Sequence, residues 1–251
     1  AWPATIAISF PTPSSPMDAT TIVLMLGTAG MLFGIPPCLR LLNMEADGHF
    51  GYLLLIPGFA ALMYALMTFG VGTQTFQGQT VPLLRYLDWL VTTPIMIGYA
   101  AYVAGTSKRG IVGAALVDAV MIGLGTAAVV TAPPTQWIFF GLAALCHLVL
   151  LGALYGPIRQ NAWDQPSARQ RLARLLVNHT GLLWITYPVV WVFGPGLQLI
   201  SATGVSIMIM YMDVLAKVPF VYFVYRSREV FTDANARSAP STASVAPAHT
   251  A

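Results

Sequence analysis

Charge is scarce in this chain. Asp, Glu, Lys and Arg make up 8% of its 251 residues, about a third of the share a soluble domain carries. So few ions cannot cover a water-facing surface, which excludes an ordinary cytosolic enzyme, a disordered protein and a nucleic-acid binder. Cysteine is nearly absent as well. Cys38 and Cys146 both sit in apolar stretches, which leaves no disulfide framework and no metal site. The net charge of +3 comes from few ions and is no basic patch. No Ser/His/Asp set, metal spacing or phosphate loop supports an enzyme.

Apolar sequence is what the chain has in quantity: 57% of residues are hydrophobic, and mean hydropathy is +0.71. A membrane helix needs about 20 mainly apolar residues. Seven runs qualify: 19–41, 50–71, 80–104, 110–131, 135–157, 172–195 and 199–225. From Phe50 to Leu84 there is no charge at all. Pro57, Pro94, Pro188 and Pro219 fall inside spans, where membrane helices tolerate them. Pro36-Pro37 should kink the first helix or end it early. The alternation of a barrel is missing. The expected fold class is an all-α membrane protein, a seven-transmembrane-helix bundle in the lipid bilayer of the cell membrane.

The loops set its orientation. VGTQTFQGQTV after Gly70, TAPPTQ after Val130 and GPGLQ after Phe193 hold no Lys or Arg. The opposite side holds Arg40, Lys108, Arg109, Arg159, Arg169, Arg171, Arg174, Arg226, Arg228 and Arg237. By the positive-inside rule that side is cytoplasmic, which puts the N-terminus outside and the C-terminus inside. Residues 1–16 lack a basic n-region and read as a disordered leader rather than a signal peptide. Met17-Asp18-Ala19 reads as a natural start behind it. Residues 17–231 form the bundle domain. Residues 232–251 are rich in Ala, Ser, Pro and Thr and read as a disordered cytoplasmic tail. No internal repeat is visible.

Beyond the ten residues of that basic side, two basic residues, Arg85 and Lys217, and three carboxylates, Asp88, Asp118 and Asp213, are left inside spans. Each costs roughly 2.5–3.5 kcal/mol at a helix centre. They either form a buried ion pair that merely fixes packing or mark a functional site. Spacing favours a site. Lys217 and Asp213 are four apart on the last span, Arg85 and Asp88 three apart on the third, and Thr92 lies four beyond Asp88. A mid-membrane lysine with two candidate counter-anions is either a transport-site cation or a Schiff base to an aldehyde, kept positive by those anions. A transporter of anionic substrates would show broken helices and an inverted repeat. The aromatics favour the aldehyde. Trp89 follows Asp88, and Trp184, Tyr187 and Trp191 share one face of the sixth span. Interface Trp is the common alternative, and it suits Trp191 better than the deeper Trp184. Rigid aromatic walls around a lysine suit a long flat apolar ligand.

RYLDWLVTTP at 85–94, WITYPVVW at 184–191 and DVLAKV at 213–218 resemble the microbial (archaeal-type) rhodopsins, and the resemblance runs over all seven spans. It implies retinal bound to Lys217 as a protonated Schiff base. Asp88 would be the primary counterion and Asp213 the second, with Arg85 and Thr92 completing the network. Trp89, Thr93, Met121, Trp184, Tyr187 and Trp191 match pocket positions, and Phe140 and His147 match through the fifth helix. Asp118 matches an acid near the ring end, where helix-to-helix hydrogen bonding is the plainer role. Ala143 and Ala144 stand where purple pumps carry hydroxyls, implying a shorter wavelength.

An outward proton pump of that family needs a proton donor three turns beyond Asp88, roughly 16 Å away. Tyr99 stands there, a phenol of pKa about 10. Between Pro195 and Met212 there is no Asp or Glu to release protons. Both departures weaken the pump, which stays as the alternative function. LDWLVTTPIMIGYAAYVAG (87–105), NHTGLLW (178–184) and DVLAKVPFVYFVYRSREVF (213–231) are most similar to the sensory rhodopsin I branch. That implies a photoreceptor for phototaxis in which His179 helps transmit the signal; a histidine hydrogen-bonded between helices is the plainer reading. It further implies a chemoreceptor-like membrane transducer beside the sixth and seventh helices, with a homo-oligomer left open. The run VYFVY at 221–225 would face either that transducer or lipid.

Overall fold

A computed structural model of the chain describes residues 18–44, 49–76 and 78–231. The expected leader (1–16) and tail (232–251) lie outside the described residues. Seven long helices cross the described part: α1 (Ala19–Leu42), α2 (Gly51–Thr68), α3 (Leu83–Val103), α4 (Lys108–Val130), α5 (Thr135–Asp164), α6 (Ser167–Gly196) and α7 (Ala202–Arg226). Six of them are apolar enough to cross a membrane by length and hydropathy alone. The exception, α3, is long enough but carries Arg85, Asp88, Thr92 and Thr93.

Local chemistry explains the ends and breaks. Side-chain oxygens of Asp18, Ser107 and Ser201 cap α1, α4 and α7, accepting from Thr21, Gly110 and Gly204 N–H at 2.6, 3.3 and 3.1 Å. Helix α1 breaks at Phe33-Gly34 and resumes at Ile35, because Pro36 and Pro37 cannot donate to the preceding turn. In α5 a wide turn at Leu154–Ile158 includes Gly156 and Pro157. Helix α6 is interrupted at Ile185, ahead of Pro188, and finishes in a wide turn at Val192–Gly196.

One stretch departs from the all-helical expectation. Thr73–Phe76 (β1) and Gln79–Pro82 (β2) pair as an antiparallel hairpin, Thr73 opposite Pro82. The third span therefore starts as strand at 80–82 and turns helical only at Leu83. Gly72 (φ +69°) and Gly78 (φ +76°) supply the left-handed turns.

Helices α3, α4 and α5 pack in sequence. Helix α1 lies against α2 and α7, and α7 closes the ring against α6. Leu26, Leu55, Leu62, Leu116, Leu148 and Leu182 point outward and exposed, as a lipid-facing surface requires. Inside, three apolar clusters leave a polar layer between them: Cys38, Leu53, Met96, Ile97, Leu154, Leu176 and Phe220 toward the basic end, Leu24, Met31 and Tyr64 between α1 and α2, and Val190, Ile209 and Met212 toward the hairpin end.

Candidate functional site

The polar layer is built on α3 and α7. Asp88 is fully buried and Lys217 is 1% exposed; the Lys217 ammonium donates to Asp88 Oδ2 as a direct ion pair. The i, i+4 step to Thr92 places its hydroxyl on the same carboxylate: Oγ1 donates to Asp88 Oδ1 at 3.2 Å and to the Asp88 carbonyl at 2.8 Å. Two charges out of water are tolerated only when paired and hydrogen-bonded, and both conditions hold here.

Asp213, one turn before Lys217, has a different shell. It accepts from Tyr64 Oη at 2.7 Å, Tyr187 Oη at 2.7 Å and Trp89 Nε1 at 3.0 Å. Three helices thus aim a donor at one carboxylate. Tyr64 was not singled out in the sequence. Its only signal was a hydroxyl in the charge-free second span, and its partner lies 149 positions away. Arg85 is buried at 4% exposure but pairs with neither carboxylate, and its Nε has no hydrogen-bond partner.

Beside the ion pair lie two cavities. The larger, about 440 Å³, is lined by Trp89, Met121, Phe140, His147, Tyr187 and Trp191 and extends to Arg85 and the hairpin. The smaller, about 70 Å³, is lined by Thr93, Asp118 and Trp184 and shares Trp89, Met121, His147 and Tyr187 with the first. All eight expected pocket residues therefore line one or both. Trp191 stacks on Phe140 at 4.2 Å and 11°, with Trp137 edge-on at 5.4 Å. Trp89 meets Tyr187 edge-on at 5.3 Å. Lys217, Asp88, Thr92 and Asp213 line neither cavity; Trp89 and Tyr187, which line both, donate to Asp213 and so join the polar layer to the cavities.

Thr93 Oγ1 donates to Asp118 Oδ2 at 2.6 Å, tying α3 to α4. His179 Nε2 donates to the carbonyl of Ala216 at 3.0 Å, with the ring edge-on to Phe223. This bond joins α6 to the residue before Lys217. Tyr99 is not brought to the site: it packs against Phe220, Tyr102 and His49 in the basic-end core, and its hydroxyl has no partner. In the run 221–225, Val221 and Val224 are fully buried, Phe223 meets His179, and only Tyr222 reaches 38% exposure.

A buried lysine–carboxylate pair beside an aromatic cavity, inside seven membrane-crossing helices, defines the class: a multi-pass membrane protein of the rhodopsin fold. The description "Bacteriorhodopsin-like protein" fits residues 18–230, and the chain belongs to that family. It is 41% identical over 235 residues to "Sensory rhodopsin-1" of Halobacterium salinarum, covering 91% of this chain and 98% of the other. It is 45% identical over 195 residues to "Sensory rhodopsin-1" of Halobacterium sp. (strain SG1), covering 77% and 78%. Among solved structures, cyanorhodopsin from Calothrix sp. NIES-2098 superposes with a TM-score of 0.81 at 29% identity, over 87% of this chain and 99% of that one. Relatives of this kind are photoreceptors and not enzymes.

Proposed function

We propose that the chain is a retinal-binding photoreceptor for phototaxis, which signals light to a chemoreceptor-like transducer through proton movement at Lys217. The observation that carries this reading is the Lys217–Asp88 pair beside an aromatic cavity. The residues fit a polyene aldehyde: there is one buried amine, a cavity walled by flat rings, and ring nitrogens of Trp191 and His147 left without partners. Lys217 would hold retinal as a Schiff base, and Trp89, Thr93, Met121, Phe140, His147, Trp184, Tyr187 and Trp191 would wall it. Bound there, retinal supplies visible absorption and a light-driven change of shape.

The chain's own groups do the rest. Asp88 and Asp213 keep the Lys217 nitrogen positive. Asp88 Oδ2, already in contact with that nitrogen, is the acceptor for its proton. Transfer cancels both charges and removes the electrostatic tie between α3 and α7. Thr92 holds Asp88 in place, and the network around Asp213 keeps the second anion fixed. His179, bonded beside Lys217, passes displacement of α7 to α6. Tyr99, packed away from the ion pair, offers a phenol and no carboxylic acid to return a proton, which favours signalling over pumping.

Two measurements test this. The Lys217→Ala variant given retinal should form no visible pigment; a visible pigment would refute the covalent attachment. Cells expressing the protein alone should show no sustained light-driven acidification of the medium; strong acidification abolished by a protonophore would establish the pump instead.

A further inference from the structure

The basic end of the bundle holds a set of contacts that the proposed photochemistry does not use. Helix α3 ends at Val103, whose carbonyl has no backbone donor among the described residues, while the Tyr102 carbonyl accepts from Gly105 N–H at 3.0 Å. Arg169, in the first turn of α6, reaches both. Its Nε donates to the Val103 carbonyl at 2.9 Å, and its Nη2 donates to the Tyr102 carbonyl at 2.9 Å. The guanidinium also lies 5.3 Å above the centre of the Tyr102 ring. Four residues earlier, Gln165 rests against Gly105, where φ is +80° and any side chain would run into its carboxamide. Four earlier again, Asn161 Nδ2 donates to Thr106 Oγ1 at 3.2 Å. Asn161, Gln165 and Arg169 are all half-buried, and together they grip the turn between α3 and α4. A cation at a helix C-terminus is favoured, and only arginine offers a planar fork for two carbonyls at once.

Helix α6, which carries Arg169, meets the pocket at its other end. From Ser167 the helix runs unbroken to Trp184, a wall of the smaller cavity, and then breaks at Ile185. Fifteen residues separate Trp184 from Arg169, roughly 22 Å along the axis. A rotation at Ile185 moves the tip farthest, and hydrogen bonds of 2.9 Å tolerate only a few tenths of an ångström before they weaken.

We propose that Asn161 at the end of α5, Gln165 in the α5–α6 turn and Arg169 in the first turn of α6 form a latch that holds this corner of the bundle, and with it the tip of α6, on the α3–α4 turn at rest, and that its opening governs how long the light-activated state lasts. This rests on the photoreceptor reading above. The three residues do not touch the pocket; they are positioning residues that act through the placement of α6.

The test uses full-length protein, reconstituted with retinal in lipid vesicles, with nitroxide labels at Lys108→Cys and Arg171→Cys in a Cys146→Ala background. Wild type should show one short interlabel distance in the dark and a longer population only under light. Arg169→Gln should show the longer population already in the dark. After a flash, its recovery should slow about tenfold, the factor carried by roughly one net charge-assisted hydrogen bond. Arg169→Lys, which keeps the charge but not the fork, should fall between the two. Dark absorption maxima should match throughout, a result that general misfolding would not give. Wild-type distances and recovery in Arg169→Gln would overturn the latch. If Arg169→Gln forms no pigment, Thr106→Val decides, since it removes the acceptor of Asn161: slower recovery supports the latch and unchanged recovery overturns it. A wild-type chain that forms no pigment overturns the photoreceptor reading instead. Dark distances of wild-type and Arg169→Gln apoprotein then still decide the latch.

Discussion

At the scale of single residues, the two carboxylates flanking Lys217 are not equivalent. Asp88 is held by the amine and one threonine hydroxyl; Asp213 is held by a phenol, a second phenol and an indole. A charged acceptor that loses one of three donors in a buried site costs about 1.5–3 kcal/mol. Tyr64→Phe should therefore lower the thermal unfolding midpoint of the pigment by that equivalent and move its absorption maximum. Unchanged melting and colour would show that Tyr64 contributes nothing to holding Asp213. Asp88→Asn removes the anion that faces the amine directly, so its absorbance should no longer change with pH in the transition that wild type shows. A titration identical to wild type would assign the counterion elsewhere. Much of this site was legible in the sequence, because an ionisable residue inside an apolar run stands out and helical spacing says which neighbours share its face. Tyr64 was not legible, since a hydroxyl acquires its meaning only when the bundle brings α2 to α7. Nor did spacing predict that Arg85 would stand apart from Asp88, because a long side chain can leave the stripe its Cα occupies.

Among the elements, the space around a glycine decides what a side chain there would do. Gly27 on α1 lies against the ring of Tyr64, so that a side chain there would strike the phenol that serves Asp213. Overpacking of this kind costs typically 1–3 kcal/mol. Gly27→Ala should lose about that much stability and should also shift the absorption maximum, because it displaces a hydrogen-bond donor of the site. Gly58 on α2 has open space where its side chain would be. Gly58→Ala should therefore hold or raise the melting midpoint, by about 0.5–1 kcal/mol. If both variants melt alike, the space around each glycine does not control the outcome. Helix positions were legible to within about three residues, since hydrophobic runs of that length have few other uses, except where the polar and charged stretch around Arg159–Arg171 hid the end of α5 at Asp164 and the start of α6 at Ser167. The proline break in α1 was legible for the same mechanical reason. The hairpin was not: VGTQTFQGQTV has no alternating apolar face, and the Gly72 and Gly78 turns that make the strands pair show only as backbone angles.

For the whole molecule, we propose an orientation from the distribution of charge along the bundle axis. The described basic residues other than Arg85 and Lys217, namely Arg40, Lys108, Arg109, Arg159, Arg169, Arg171, Arg174, Arg226 and Arg228, fall at one end of the helices, and the hairpin and the α4–α5 and α6–α7 turns carry none. Basic loops are retained on the cytoplasmic side during insertion, and the apolar belt of exposed leucines between the ends faces lipid in either orientation. In that orientation the proposed latch would face the cytoplasm, where a transducer would read it, and the hairpin would lie outside. The orientation has a direct measurement. Single cysteines at Thr75, exposed on the hairpin, and at Arg171, exposed on α6, each in a Cys146→Ala background, should react differently with a membrane-impermeant maleimide added to intact cells. Thr75→Cys should be labelled before lysis, and Arg171→Cys only after it. The reverse pattern would invert the bundle, and with it the side on which any partner must wait.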